Sequence, residues 1–186
     1  MLKDSSNGYG LISIAIHWIS ALLILFLFGL GTYMVGLSYY DDWYHEGPEL
    51  HVSLGLVVLL VMLVRIVWRI INPAPIDLPA KPVQLTAAKF VKYALYVSII
   101  VVLVSGYLIT TAEGQPASMF NLLKFPVFIE LTGDNVDLAG EIHEYFAWGI
   151  IALVVVHTLG ALFHHFAMRD RTLVRMLKPV KKSAIE

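Results

Sequence analysis

Four stretches of the chain, near residues 10 to 35, 50 to 71, 90 to 111 and 142 to 166, are long and apolar enough to cross a bilayer, which takes about 20 mostly apolar residues as a helix. Backbone polar groups in lipid must be satisfied within the chain, and a single run of this length does so as an α-helix. The expected fold is therefore all-α and integral to the membrane: a four-helix transmembrane bundle, with residues 1–186 forming one domain. Composition agrees, since 58% of the 186 residues are hydrophobic, 15% are charged and the mean hydropathy is +0.74, outside the range of a soluble domain. With no cysteine, disulfides, thiolate zinc sites, iron-sulfur clusters and covalently attached haem are excluded.

Charge gives the direction. Segments 36 to 49 and 112 to 144 hold ten of the 14 acids (Asp41, Asp42, Glu46, Glu49, Glu113, Glu130, Asp134, Asp137, Glu141, Glu144) and one base, Lys124. If the spans alternate, the other twelve bases, from Lys3 through Arg65, Arg69, Lys81, Lys89 and Lys92 to the tail between Arg169 and Lys182, fall on the opposite side. Positive charge stays inside, so both the N and C termini of a multi-pass membrane protein are expected to be cytoplasmic. The first span follows only Lys3 and has no small-residue cleavage pattern, so it is expected to be retained. Pro73, Pro75, Pro79 and Pro82 mark the connection after the second span, and Gly47 and Pro48 are expected to open the second helix. The long outer connection, with its apolar run "MFNLLKFPVFIEL", is expected to fold down over the outer surface.

Seven histidines fall at different depths. His45 belongs to the acidic outer loop, and His164 and His165 lie at the inner end of the fourth span, where interfacial anchoring is the default. His17, His51, His143 and His157 lie within spans, where an ionisable side chain is costly unless it is paired, coordinated or facing a cavity. His143 and His157 are 14 residues apart, a rise of about 21 Å and a rotation about 40° short of four turns, so both leave one helix face. Depth pairs His143 with His51 in the outer half and His157 with His17 in the inner half. Two stacked bis-histidine sites are the geometry of two b-type haems held by neutral imidazoles. Each of the four has a small residue one turn on, Ala21, Gly55, Ala147 and Ala161 respectively, which leaves room for a flat macrocycle, although small residues also serve helix packing.

Other readings stand beside this one. The histidines could hydrogen-bond between helices with no cofactor, or titrate in a small transporter or proton channel. A mononuclear metal site fits less well, because no carboxylate stands one turn from a histidine inside a span. Arg65 and Arg69 share a face at the inner end of the second helix, either anchoring to lipid headgroups or clamping haem propionates or a quinone carbonyl. Trp18, Trp43, Trp68 and Trp148 are read as mostly interfacial belt residues.

The strings "IAIHW" at 14 to 18, "LHVSLGLVVLLVMLVRIVWRIINPAP" at 50 to 75, "EIHEYFAWGIIALVVVHTLGALFHHF" from 141 and "RDRTLVRM" at 169 to 176 closely resemble the bacterial di-haem cytochrome b-561 family, over essentially the whole chain. That resemblance implies His17, His51, His143 and His157 as axial ligands of the iron in two b haems, matching the pairing by depth. It also implies a place in the bacterial inner membrane and electron transfer between an outer donor and the quinone pool. The favoured reaction is superoxide oxidation with ubiquinone as acceptor; the alternative is the haem-bearing membrane anchor of a larger periplasmic dehydrogenase or hydrogenase. The partners so implied are the lipid bilayer, a quinone and a small periplasmic donor such as superoxide, with no nucleic acid. One physical objection remains: superoxide is an anion, and ten acids against Lys124 slow its approach unless local donors make a positive funnel.

Overall fold

A computed structural model of the chain describes residues 1–179. Lys181 and Lys182, counted above on the basic side, lie outside the described residues. The four long helices are α1 (Leu11–Val35), α2 (Trp43–Ile71), α3 (Pro82–Thr110) and α4 (Asp134–Phe166), and a short α5 (Thr172–Arg175) follows. Each of the first four is long and apolar enough to cross a membrane. Their large apolar residues are widely exposed, among them Leu22 at 63%, Leu63 at 53% and Ile70 at 77%, as suits side chains solvated by lipid.

Three helices begin earlier than hydropathy marks them. The turns "WYHEGPE", "PVQLTAAK" and "DNVDLAGE" are polar yet helical, adding about two turns at each start. Pro48 lies inside α2 instead of opening it; so near the free end, its ring and missing N–H disturb only the first turns. His51 is accordingly two turns into α2, and His45 is helical instead of in a loop. Pro82 begins α3, the position where a proline N–H has no helical partner to lose.

The chain packs as two compact units, each taking a segment from all four long helices. Among the described residues, one comprises Met1–Ala21, Val61–Ala94 and 152–179, and the other Leu22–Leu60 and Leu95–Ile151. The first carries most of the Lys and Arg residues and is called here the basic unit; the second carries the acidic connections and is called the acidic unit.

In the basic unit, the first ten residues fold back on the helices. Leu11 N–H donates to the Met1 carbonyl at 3.0 Å and Ile76 N–H to that of Ser6 at 2.9 Å. The enclosed Asp4 carboxylate accepts from Gly10 N–H at 2.7 Å and the Ser13 hydroxyl at 2.8 Å, with the Arg69 guanidinium 3.7 Å away. Position 10 must be glycine, since a Cβ there would stand 2.2 Å from the Leu2 carbonyl oxygen. Trp68 Nε1 donates to Ser13 Oγ at 2.9 Å, and Trp18 Nε1 to the Met176 carbonyl at 2.8 Å. These two indoles therefore tie segments together, beyond the belt role expected of them.

In the acidic unit, Leu56, Val58, Ile99 and Ile150 are buried. The outer connection contains a 3-10 turn at Ala112–Gly114 and an antiparallel hairpin of β1 (Ala117–Met119) and β2 (Leu123–Phe125). Its tip turns through Phe120 (φ 51°) and Asn121 (φ 57°), the two left-handed positions of a type I′ turn. Phe120 is an uncommon residue there, and its amide is held by Ser53 Oγ of α2 at 2.9 Å. A second tie joins the Tyr107 hydroxyl, as donor, to the Pro126 carbonyl. The hairpin thus lies against α2 as expected, two residues from His51.

Candidate functional site

In the acidic unit, α2 brings His51 and α4 brings His143 face to face, ring centroids 6.2 Å apart and planes at 67°. His143 Nδ1–H donates to the Val102 carbonyl at 3.0 Å. A carbonyl only accepts, so the proton sits on Nδ1 and Nε2 keeps its lone pair for a metal. His51 Nδ1 is buried and has no hydrogen-bond partner. A buried polar atom without a partner costs about 1–3 kcal/mol, a cost expected where something else completes the site.

Glycines make the space between. A Cβ on Gly106 would stand 2.8 Å from His143 Cε1 and one on Gly31 3.2 Å from His51 Cε1, so the helix opposite His143 approaches too closely for a side chain and the one opposite His51 leaves little room for one. Both glycines line a cavity of about 740 Å³ that also takes in His51, His143, Gly55 and Ala147. Gly55 and Ala147 are the small residues one turn beyond the two histidines. Trp148, edge-on to Phe28 at 4.8 Å, lines the same cavity while staying more than half exposed, so this indole edges the site as well as suiting a belt.

In the basic unit, α1 brings His17 and α4 brings His157 together, centroids 6.4 Å apart and planes at 55°. The surroundings differ in kind. Arg65 Nη2 donates to His17 Nδ1 at 2.9 Å and Nη1 to Ser20 Oγ at 2.6 Å. Ser20, fully buried, donates in turn to the His17 carbonyl at 3.0 Å. Trp18 stands edge-on to His17 at 5.4 Å. Arg69 does not join Arg65 in this site; it pairs with Asp4 and lies over the Tyr9 ring at 5.5 Å.

Metal–imidazole bonds are about 2 Å long, and each ring nitrogen lies about 1 Å from its ring centre, so two imidazoles trans on one iron have centroids roughly 6 Å apart. Both pairs have that spacing. Among the described residues, no group of three or more His, Cys, Asp or Glu is placed to hold a metal ion. Two protein ligands facing across a gap suit a metal that arrives with its own in-plane donors, as a haem does. The fit is closest in the acidic unit, where a partnerless nitrogen and two glycines shape the gap.

The remaining histidines lie elsewhere. His45 packs among Tyr39 and Tyr44. His164 Nδ1 meets Asp170 Oδ2 at 2.7 Å, and His165 Nδ1 is buried without a hydrogen-bond partner. Burial pushes the Asp170 carboxyl up, but hydrogen bonds from the Thr172 hydroxyl and amide and from His164 outweigh it and hold the group below its ordinary value. The residues that sequence reasoning passed over are Gly31, Gly106 and Ser20. The only trace of the two glycines was the glycine content of the spans, which ordinary helix packing explains equally well.

The sequence matches prokaryotic cytochrome b561 over residues 8–179. It is 44% identical to cytochrome b561 homolog 2 of Escherichia coli (strain K12) over 175 residues, 94% of this chain and 93% of that one. Cytochrome b562 of Cereibacter sphaeroides is 32% identical over 178 residues, covering 92% and 96% of the two chains. Probable superoxide oxidase CybB of Yersinia pestis is 26% identical over 172 residues, covering 91% and 95%.

Proposed function

The chain belongs to the prokaryotic cytochrome b561 family, and from that membership and the two facing histidine pairs we propose that it carries two b haems and relays single electrons between the periplasmic face and ubiquinone. Family membership makes it a multi-pass inner-membrane electron-transfer protein that binds haem b. In this reading His17 and His157 would hold the inner haem, and His51 and His143 the outer one. The observation that carries it is the spacing of the two pairs, 6.4 Å and 6.2 Å between ring centroids.

Haem b, when bound, supplies reversible one-electron chemistry. The protein's part is to hold and shape. Val102 fixes the His143 tautomer, Gly31 and Gly106 make room for the His51 and His143 rings, and Ser20, tied to the His17 carbonyl, holds Arg65 beside the His17 ring. The favoured reaction takes one electron from each of two superoxide ions, releasing two dioxygen molecules, and with two protons converts one ubiquinone to its quinol. The likeness to the Yersinia pestis protein supports this choice.

The acidity of the outer connections favours a second reading, the haem-bearing anchor of a larger periplasmic dehydrogenase or hydrogenase, because a negative surface repels superoxide but suits a basic protein partner. A pyridine haemochrome assay with a redox spectrum on the purified chain tests the common core: two b haems per chain are expected, and a colourless protein refutes it. Copurification separates the two readings. The chain alone should reduce ubiquinone from superoxide, and an obligatory second subunit would favour the anchor.

A further inference from the structure

Resting on the two-haem reading, we infer that Arg65 is a positioning residue that raises the midpoint potential of the inner haem above that of the outer one, so that the charge pattern within the protein directs electrons inward. The two histidine pairs have nearly the same spacing, 6.4 Å and 6.2 Å, yet opposite electrostatics. At the inner pair a guanidinium, which stays charged at any working pH, lies 2.9 Å from Nδ1 of the His17 ring. At the outer pair the corresponding contact is a neutral carbonyl, that of Val102, and the charged side chain lining the cavity is the carboxylate of Glu144.

A fixed cation stabilises the site after it takes an electron, and a fixed anion does the reverse. Burial sets the sizes. Arg65 is half-buried and bonded to a fully buried serine, whereas Glu144 is exposed, where water and salt screen it. Arg65 therefore acts on the inner pair more strongly than Glu144 acts on the outer one.

The hydrogen bonds also say why the charge stays in place. Arginine only donates, so while Nδ1 of His17 accepts from it, the ring proton is on Nε2. A ring that offers Nε2 to iron and carries its proton on Nδ1 can no longer accept that bond. The second anchor does not depend on the ring: Nη1 remains on Ser20 Oγ at 2.6 Å, and Ser20 is tied to the backbone carbonyl of His17. The guanidinium is thus held beside the ligand in either ring state.

Spectroelectrochemical titration of the purified, haem-loaded full chain, with Arg65→Gln and Arg65→Lys, tests this after haem is counted. The inner midpoint is identified as the one that persists in His143→Ala. Arg65→Gln should keep two haems and shift the inner electron equilibrium towards the oxidised form by on the order of tenfold, 59 mV for one electron, leaving the outer midpoint in place. Arg65→Lys should recover most of the shift, and Glu144→Gln should raise the outer midpoint by less. Two haems with both midpoints unmoved in Arg65→Gln, or both lowered equally, overturn the inference while the two-haem reading stands. Fewer than two haems in the unsubstituted chain overturns both. If Arg65→Gln sheds a haem, Ser20→Ala decides: a lowered inner midpoint supports the inference and an unchanged one overturns it.

Discussion

The two histidine pairs solve one spatial problem by different means. In the acidic unit the rings face a gap made by missing side chains, at Gly31, Gly106, Gly55 and Ala147, and one ring nitrogen has no partner. In the basic unit the ring of His17 is engaged by the charge of Arg65, which the Ser20 hydroxyl holds in place. The first site is shaped by what has been left out, the second by what has been put in. Similar ring spacing therefore does not imply similar chemistry. A shape-made site is sensitive to volume, and a charge-made site to electrostatics.

The sharpest way to break the comparison is to remove one ligand from each pair. His143→Ala and His157→Ala should each retain about one b haem of the two, each leaving the haem of the other unit bound, as read by haemochrome and by the surviving midpoint. Loss of both haems in either variant, or of neither, refutes the pairing. Next in size is volume. Gly106→Val should empty the outer site, since even a Cβ would stand 2.8 Å from His143, while Gly31→Ala, at 3.2 Å from His51, should weaken haem retention only several-fold, as steric costs of about 1–3 kcal/mol allow. Equal occupancy of the outer site in the two variants and the unsubstituted chain would show that glycine does not shape it.

The smallest effect concerns pH in the basic unit. The native Asp170 carboxyl is held below its ordinary value of 3.8, so it binds protons less readily when folded than when unfolded. Its contribution to stability is full above about pH 4, the unfolded value, and is lost as pH falls through the lowered native value. Asp170→Asn should accordingly melt at a lower temperature than the unsubstituted chain at neutral pH, with the gap closing in strong acid. A gap independent of pH would show that Asp170 acts through shape alone.

Much of the fold could be read directly from the sequence, because bilayer thickness sets a length that hydropathy detects. The helix starts could not: hydropathy reports which residues prefer lipid, while a helix continues wherever its hydrogen bonds do, as in "WYHEGPE". The hairpin was hidden for a different reason. Its left-handed turn uses Phe120 and Asn121, not the Asn-Gly pair that marks such turns. Within the site, depth sufficed to pair the histidines, since helices of one bundle share a membrane frame. Arg65 and Arg69 were misleading as a couple: four residues apart on one helix, they go to His17 and to Asp4 respectively. Spacing along a helix gives the face but not the partner.

The fold-back of the first ten residues bears on how the protein is made. Asp4 meets Arg69, and the Ser6 carbonyl receives the amide of Ile76, so these contacts cannot form until the second helix has been synthesised and delivered. Until then the first helix is held in the membrane without these contacts. A bulky tag fused ahead of Met1, whose carbonyl accepts from Leu11, would interfere with this late closure more than with insertion itself, leaving a chain that reaches the membrane normally but matures slowly.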